Sequence, residues 1–167
     1  MTIDTAHDAP PAWTVDLAGS AATTENRGPQ DQLLRPVAGD GLCDASGLSA
    51  GRVRMPPGAQ AVPHHHAEDR TVVVLAGFAA TLLAPPGGTR WSAAAVTGPE
   101  DVVFIPGGWI HQAVNLGGVE CRAVEISADR VFNRSVHRLP DFDGDDVAAL
   151  LRADYEAGRV GLGALPL

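Results

Sequence analysis

The sequence predicts an all-β fold, an antiparallel barrel or sandwich followed by one α-helix. From residue 32 onward, short apolar and β-branched runs alternate with turns rich in glycine and proline, as in such folds. Only residues 145–158 have the apolar spacing of an amphipathic helix. The 167 residues are enough for one domain with a hydrophobic core.

The turn signals divide the chain into short strands. Pro56-Pro57-Gly58 ends one of them, and the run at 85–88 is an unambiguous turn. Predicted strands cover residues 33–37, 48–55, 60–66, 71–75, 79–83, 101–105, 112–116, 120–126 and 131–136. Residues 13–17 could add a strand to the sheet or to a partner subunit. We therefore expect a flexible segment over 1–30, a barrel over 31–137 and a tail over 138–167.

The predicted helix has one apolar stripe and a recognisable signal at each end. Asp145 or Asp146 can cap its first turn, and Gly158 can end it. The stripe consists of Val147, Leu150, Leu151 and Tyr155. The acidic cluster before it lacks the ligand spacing and terminal glutamate of a calcium loop. We expect the helix to pack on the outside of the barrel.

Composition excludes several classes of protein. The net charge of −8 offers no basic patch for a nucleic acid. The sequence contains neither a run of 18 apolar residues nor a signal-peptide pattern, so we expect no membrane partner and a cytoplasmic protein. Its two cysteines, Cys43 and Cys121, are too few for a disulfide framework.

Three consecutive histidines suggest a metal site. In a strand, His64 and His66 point to the same face, whereas His65 points to the other and is expected at the surface. Two neutral imidazoles on one face can share a metal ion, and a distant third histidine, His111 in a turn-rich segment, could complete the ligand set. A solvated histidine loop without metal is the plain alternative.

Two stretches of the sequence resemble the paired motifs of the cupin superfamily. The first motif is matched at Gly58, His64, His66 and Gly77, and the second at Pro106, Gly108, His111 and Asn115. The resemblance implies a double-stranded β-helix, the cupin or jelly-roll barrel. It also implies one divalent transition metal per chain held by the three histidines, with Fe(II) favoured and Zn, Ni or Mn as alternatives. Cupins are often homodimers, which we also expect here.

Two positions depart from the cupin motifs. Arg70 stands where the first motif has a glutamate ligand, and Glu100 replaces the opening glycine of the second. An arginine has no lone pair for a metal. Glu68 or Asp69 could substitute only if the strand register shifted. Arg70 is instead our candidate catalytic residue. Its guanidinium group can make two hydrogen bonds to a carboxylate, either that of an anionic substrate or an internal one such as Glu125.

The resemblance alone does not identify the reaction, because one fold supports many functions. We expect a metal-dependent enzyme acting on a small, anionic metabolite, with iron(II) oxygenases as the leading subclass. A barrel wall including Val72, Val74 and Leu82 or Leu83 would keep water from the reaction. The alternatives are a redox-neutral isomerase, lyase or cyclase that uses the metal as a Lewis acid, and a ligand-binding cupin without turnover.

Overall fold

A computed structural model of the protein describes residues 25–28, 32–38, 47–143 and 146–167. These residues form two six-stranded antiparallel sheets and one helix. The predicted strand at 13–17, Cys43 and the possible cap Asp145 lie outside the described residues. The all-β class with a C-terminal helix is confirmed.

The strands are short, as the spacing of the turns predicts. In chain order they are β1 (Asn26–Arg27), β2 (Leu33–Ala38), β3 (Ser49–Met55), β4 (His64–His65), β5 (Arg70–Ala76), β6 (Ala79–Ala84), β7 (Ala93–Thr97), β8 (Val102–Ile105), β9 (Ile110–Asn115), β10 (Cys121–Ser127), β11 (His137–Arg138) and, after the helix α1 (Val147–Glu156), β12 (Gly163–Pro166). Sheet A has the order β1-β2-β3-β10-β5-β8, and sheet B has the order β11-β4-β9-β6-β7-β12. Strands that follow one another in the chain therefore often lie in opposite sheets, as in a jelly roll.

The inner face of sheet A carries one hydrophobic core. Burial alternates residue by residue along β3 and β10, as expected when one face of a sheet is packed and the other meets water. Val53, Val74 and Ala123 are each at most 5% exposed and belong to this core. On β5, Arg70, Val72 and Val74 share the inward direction, as the alternation predicts.

The outer face of sheet B is covered by α1, which forms a second core there. Ala148 and Leu151 are the buried residues of the helix, whereas Leu150, predicted in its apolar stripe, is 66% exposed. Asp146 caps it, since its Oδ1 accepts a hydrogen bond from the Ala149 amide at 3.0 Å. Arg152 ties the helix to the barrel by donating from Nη2 to the Gly58 carbonyl at 3.0 Å. The predicted helix and its position outside the barrel are confirmed.

Several strand predictions were wrong. Residues 131–136 are a turn, and the two-residue strand β11 begins only after them, at His137. The only strand in the run at 60–66 is β4, with an isolated bridge between Gln60 and Val114, because Pro63 has no amide hydrogen to donate to a sheet. Both β7 and β12 were missed, since alanine and glycine have low strand propensity.

Leu82 and Leu83 divide between the two faces of sheet B. Leu82 is fully buried in the core under α1, so it is not part of the inner barrel wall. Leu83 pairs directly with His111 and shares its direction. None of the described helices is long and apolar enough to cross a membrane.

Candidate metal centre

Three histidines that are far apart in the sequence meet inside the barrel. His64 begins β4 and lies directly opposite His111, the second residue of β9. His66 follows β4, and one nitrogen from each of the three rings lies within 4.8 Å of the others. His111 thus lies in the strand that follows the turn, not in the turn itself. The three residues predicted as metal ligands are brought together.

Two of the rings are held by backbone carbonyls. His64 Nδ1 lies 2.7 Å from the Val62 carbonyl oxygen, and His111 Nδ1 lies 3.0 Å from that of Trp109. A carbonyl oxygen only accepts, so each Nδ1 carries the proton and each Nε2 keeps its lone pair. Histidine ligands of metals are commonly oriented by such a bond on the other nitrogen.

All three rings are buried and neutral. Burial lowers the pKa of His66 to about 3, and the charges of Arg70 and His111 lower it further. A backbone hydrogen bond with Arg134 raises the pKa and so opposes this effect. Burial likewise lowers the pKa of His111 to about 4, and it holds the pKa of His64 well below the ordinary value. A buried set of uncharged imidazoles is a donor set for a divalent transition metal. The residues fit such an ion.

Arg70 lies beside this cluster but does not face open space. Its side chain is 1% exposed, and its Nη1 donates to Glu125 Oε1 at 2.9 Å. Its Nη2 lies 2.8 Å from His66 Nδ1. Burial raises the pKa of the Glu125 carboxyl, and the Arg70 cation opposes that rise. Of the two carboxylates considered for Arg70, the internal one is its partner in this structure.

The two acidic residues of the preceding turn do not join the cluster of nitrogens. Asp69 Oδ1 accepts a hydrogen bond from the Gly107 amide at 2.8 Å and so joins two turns. Glu68 has no place in the cluster either. The register required for Glu68 or Asp69 to replace the missing glutamate is not adopted.

A cavity of about 50 Å³ opens onto His64 and His111. Glu125 and Gln32 add polar groups to its wall, and the remainder is largely apolar: Val53, Met55, Val72, Val74, Ala79, Val103, Ile105, Ala113, Cys121 and Ala123. Space of this size holds a few water molecules or one very small organic molecule. The predicted Val72 and Val74 wall is present.

Cys121 lines this cavity, but it is a poor candidate ligand. Burial raises the pKa of its thiol to about 11, so it stays protonated at neutral pH. It is best described as a small apolar wall residue.

Asn115 and Gly77, two motif residues, shape the barrel rather than contact the cluster. The buried Asn115 Nδ2 donates to the carbonyls of Met55, Pro56 and Val119, and its Oδ1 accepts from Gly117. Gly77 has a φ of +76°, and a Cβ there would lie 2.8 Å from the Cys121 backbone.

His65 points away from the cluster, as its position in the strand predicts. It pairs with His137 of β11, and their rings stack at a centroid distance of 4.8 Å. Sequence reasoning missed this pairing, because the two-residue strand β11 was not recognised.

Comparison with solved structures identifies the architecture. An oxalate decarboxylase variant from B. subtilis matches with a TM-score of 0.61 and 19% identity, covering 81% of this chain and 35% of that one. A recombinant oxalate oxidase in complex with glycolate matches with a TM-score of 0.59 and 21% identity, covering 87% and 76% of the two chains. A cupin 2 conserved barrel domain protein from Salinispora arenicola matches with a TM-score of 0.50 and 18% identity, covering 62% and 80%.

The chain has the cupin fold. The predicted resemblance is therefore confirmed at the level of the fold, with a histidine cluster that could hold a metal. The chain spans about a third of the oxalate decarboxylase chain that it matches. No protein-family model and no curated protein matches the sequence.

Proposed function

We propose that this cupin is a metal-dependent enzyme acting on a very small carboxylate, with His64, His66 and His111 as the metal ligands. The observation that carries the proposal is the convergence of three buried, neutral imidazoles, two of which, His64 and His111, line one small cavity. Three protein ligands leave coordination positions open, which distinguishes catalytic from closed structural metal sites.

The charges around the cluster favour an anionic substrate. The imidazoles are neutral, and Arg70 and Glu125 compensate each other. A divalent ion would therefore keep its full charge in a buried site, because no carboxylate belongs to the cluster. An uncompensated charge in a poorly solvated cavity attracts an anion strongly.

Two further considerations point to a small carboxylate. The cavity volume of about 50 Å³ excludes substrates with more than a few heavy atoms unless the walls move. Two of the structural neighbours are an oxalate decarboxylase and an oxalate oxidase bound to glycolate. The similarity to them is that of a fold, so it supports the substrate class without naming the compound.

The chain's own residues would bind, orient and shield the substrate. His64 and His111, fixed by their carbonyl bonds, would present Nε2 to the metal. Apolar residues such as Val72 and Ile105 keep bulk water away. When bound, iron(II) with open positions would supply oxygen chemistry, and we propose an oxygenase as the leading subclass.

Turnover with and without dioxygen tests the reaction class. Protein loaded with iron(II) should convert its carboxylate substrate while consuming dioxygen in step with product. Undiminished turnover under strict anaerobiosis, or equal turnover with zinc, would instead indicate Lewis-acid isomerase, lyase or cyclase chemistry. Tight carboxylate binding without product under either condition would indicate a binding protein.

We further propose that the protein is a homodimer formed through the outer face of sheet A. Val102 and Phe104 on the edge strand β8 are 58% and 57% exposed. They continue two rows that cross β5 and β10 in register: Val124–Val73–Val102 and Ile126–Thr71–Phe104. The rows continue on β3 to Arg52 and Ala50. A solvent-facing sheet surface is normally polar, so the part of the two rows on β10, β5 and β8, which contains no charged residue, suits contact with a second copy of the chain.

A further inference from the structure

We propose that Arg70 withholds His66 from the metal: while Arg70 donates to the ring, His66 has no free lone pair. This inference rests on the proposed metal site and concerns how its third ligand becomes available. Arg70 is then a positioning residue, which sets metal affinity through His66 rather than through contact with the ion.

Arg70 Nη2 lies 2.8 Å from His66 Nδ1. A guanidinium group has only donors, and it stays charged at any pH at which the protein is folded. Nδ1 must therefore be the acceptor, and its lone pair is occupied by Arg70.

The other nitrogen of His66 cannot serve as a ligand either. A neutral imidazole has one protonated nitrogen, so with Nδ1 accepting, the proton is on Nε2. His66 Nε2 is buried and has no hydrogen-bond partner among the described residues. Whichever nitrogen is nearest the ion, metal binding requires His66 to change its bond to Arg70.

His64 and His111 provide the internal comparison. Their Nδ1 atoms face carbonyl oxygens and are protonated, so their Nε2 atoms are free. Two histidines are thus ready to bind, and the third is held in the opposite tautomer by a cation. Glu125 keeps that cation in place from its other side.

The tautomers can be read directly in the unmodified protein. In metal-free protein labelled with ¹⁵N, long-range ¹H–¹⁵N correlation spectra at neutral pH should show the proton on Nε2 of His66 and on Nδ1 of His64 and His111. His66→Gln identifies the His66 signals. If all three rings carried the proton on Nδ1, the inference would be wrong, whereas the metal site itself would stand.

Metal affinity gives the second test. Arg70→Met with Glu125→Gln removes the donor and its partner, keeps the net charge and leaves no carboxylate as a new ligand. Titration with Co(II) alone should show at least about tenfold tighter binding than in the wild type, which is about 1.4 kcal/mol. Circular dichroism checks that the barrel is folded.

A double-mutant cycle with His66→Ala isolates the contribution of the His66 ring to Co(II) binding. The substitution should weaken Co(II) binding at least about tenfold more in the Arg70/Glu125 variant than in the wild type, because only there is His66 free. Equal losses in both backgrounds would overturn the inference. Absence of Co(II) binding in every form would overturn the proposed function, while the tautomer spectra would still decide the state of His66.

Discussion

Arg70 of β5 and Glu125 of β10 form a 2.9 Å ion pair inside the barrel, beside the histidine cluster. They lie on neighbouring strands, two residues out of direct register, with Glu125 opposite Val72. Cupins place a carboxylate at the position of Arg70, whereas here the carboxylate is on the adjacent strand and is held by the arginine. The site therefore keeps a carboxylate near the histidines without offering it as a ligand.

The Arg70–Glu125 pair should show strong coupling in stability. Removing one member leaves the other buried without its partner, so Arg70→Met alone should lower the free energy of unfolding by about 3–5 kcal/mol. Adding Glu125→Gln should recover most of that loss. Urea unfolding of the metal-free single and double variants measures the loss and its recovery. Additive losses would show that the pair is not coupled.

The proposed dimer face can be tested with a substitution that introduces one charge. Phe104→Glu places a carboxylate at the exposed β8 end of the two uncharged rows and should convert dimers into monomers in light scattering after size-exclusion chromatography. Leu150→Glu is the matched control, since Leu150 is 66% exposed on the helix, away from sheet A. A wild-type monomer at micromolar concentration would contradict the proposal.

Much of the fold could be read from the sequence because turns and alternation are local signals. The runs around β3, β5 and β10 combine β-branched residues with clear turns, and their strands lie where predicted. The strands β7 and β12 could not be predicted, because runs such as Ala93-Ala94-Ala95 have little intrinsic preference for a strand. These two strands form because they pair with each other, and β7 also with β6, in the folded barrel.

In the candidate site, too, local features could be predicted and long-range contacts could not. The spacing of His64 and His66 placed them on one face, and the motif resemblance added His111. The bond from Arg70 to His66 could not be predicted, since it depends on the direction of a long side chain whose other partner, Glu125, lies 55 residues away. The stacking of His137 on His65 likewise depends on a two-residue strand.

Glu100 offers a stabilising substitution. It replaces the opening glycine of the second cupin motif and has a φ of +75°, a conformation that costs a residue with a Cβ about 1 kcal/mol or more. Glu100→Gly should therefore raise the free energy of unfolding by roughly 0.5–1 kcal/mol, after allowing for the greater chain entropy of glycine. Glu100→Ala, which removes the carboxylate but keeps the Cβ, should bring no such gain in the same urea measurement.

His111→Ala should leave the barrel folded and remove most of its metal, because His111 is one of two rings with a free Nε2. The matched control is His65→Ala, whose ring points away and stacks on His137. Elemental analysis after loading with iron(II) or zinc and desalting measures the metal per chain. Unchanged metal content in His111→Ala would contradict the ligand assignment.

The metal-free protein should lose stability as the pH falls below about 6.5. In the unfolded chain the three histidines take up protons near that pH, whereas burial holds the pKa of His66 at about 3 and that of His111 at about 4 in the folded state. The unfolded state then binds more protons, so acid favours unfolding.

Each buried histidine can contribute up to about 1.4 kcal/mol per pH unit between the two pKa values, and this stability is fully present only above the unfolded pKa. Glu125 acts in the opposite sense, because burial raises its pKa and protonation relieves its buried charge. Urea midpoints at pH 7, 6 and 5 should therefore decrease steadily, and less steeply in His111→Gln. Zinc at saturating concentration should raise the midpoint at each of these pH values and leave the slope nearly unchanged, since the folded rings that it binds are already neutral over this range. A midpoint that stays constant from pH 7 to 5 would show that the rings are not buried as neutral groups.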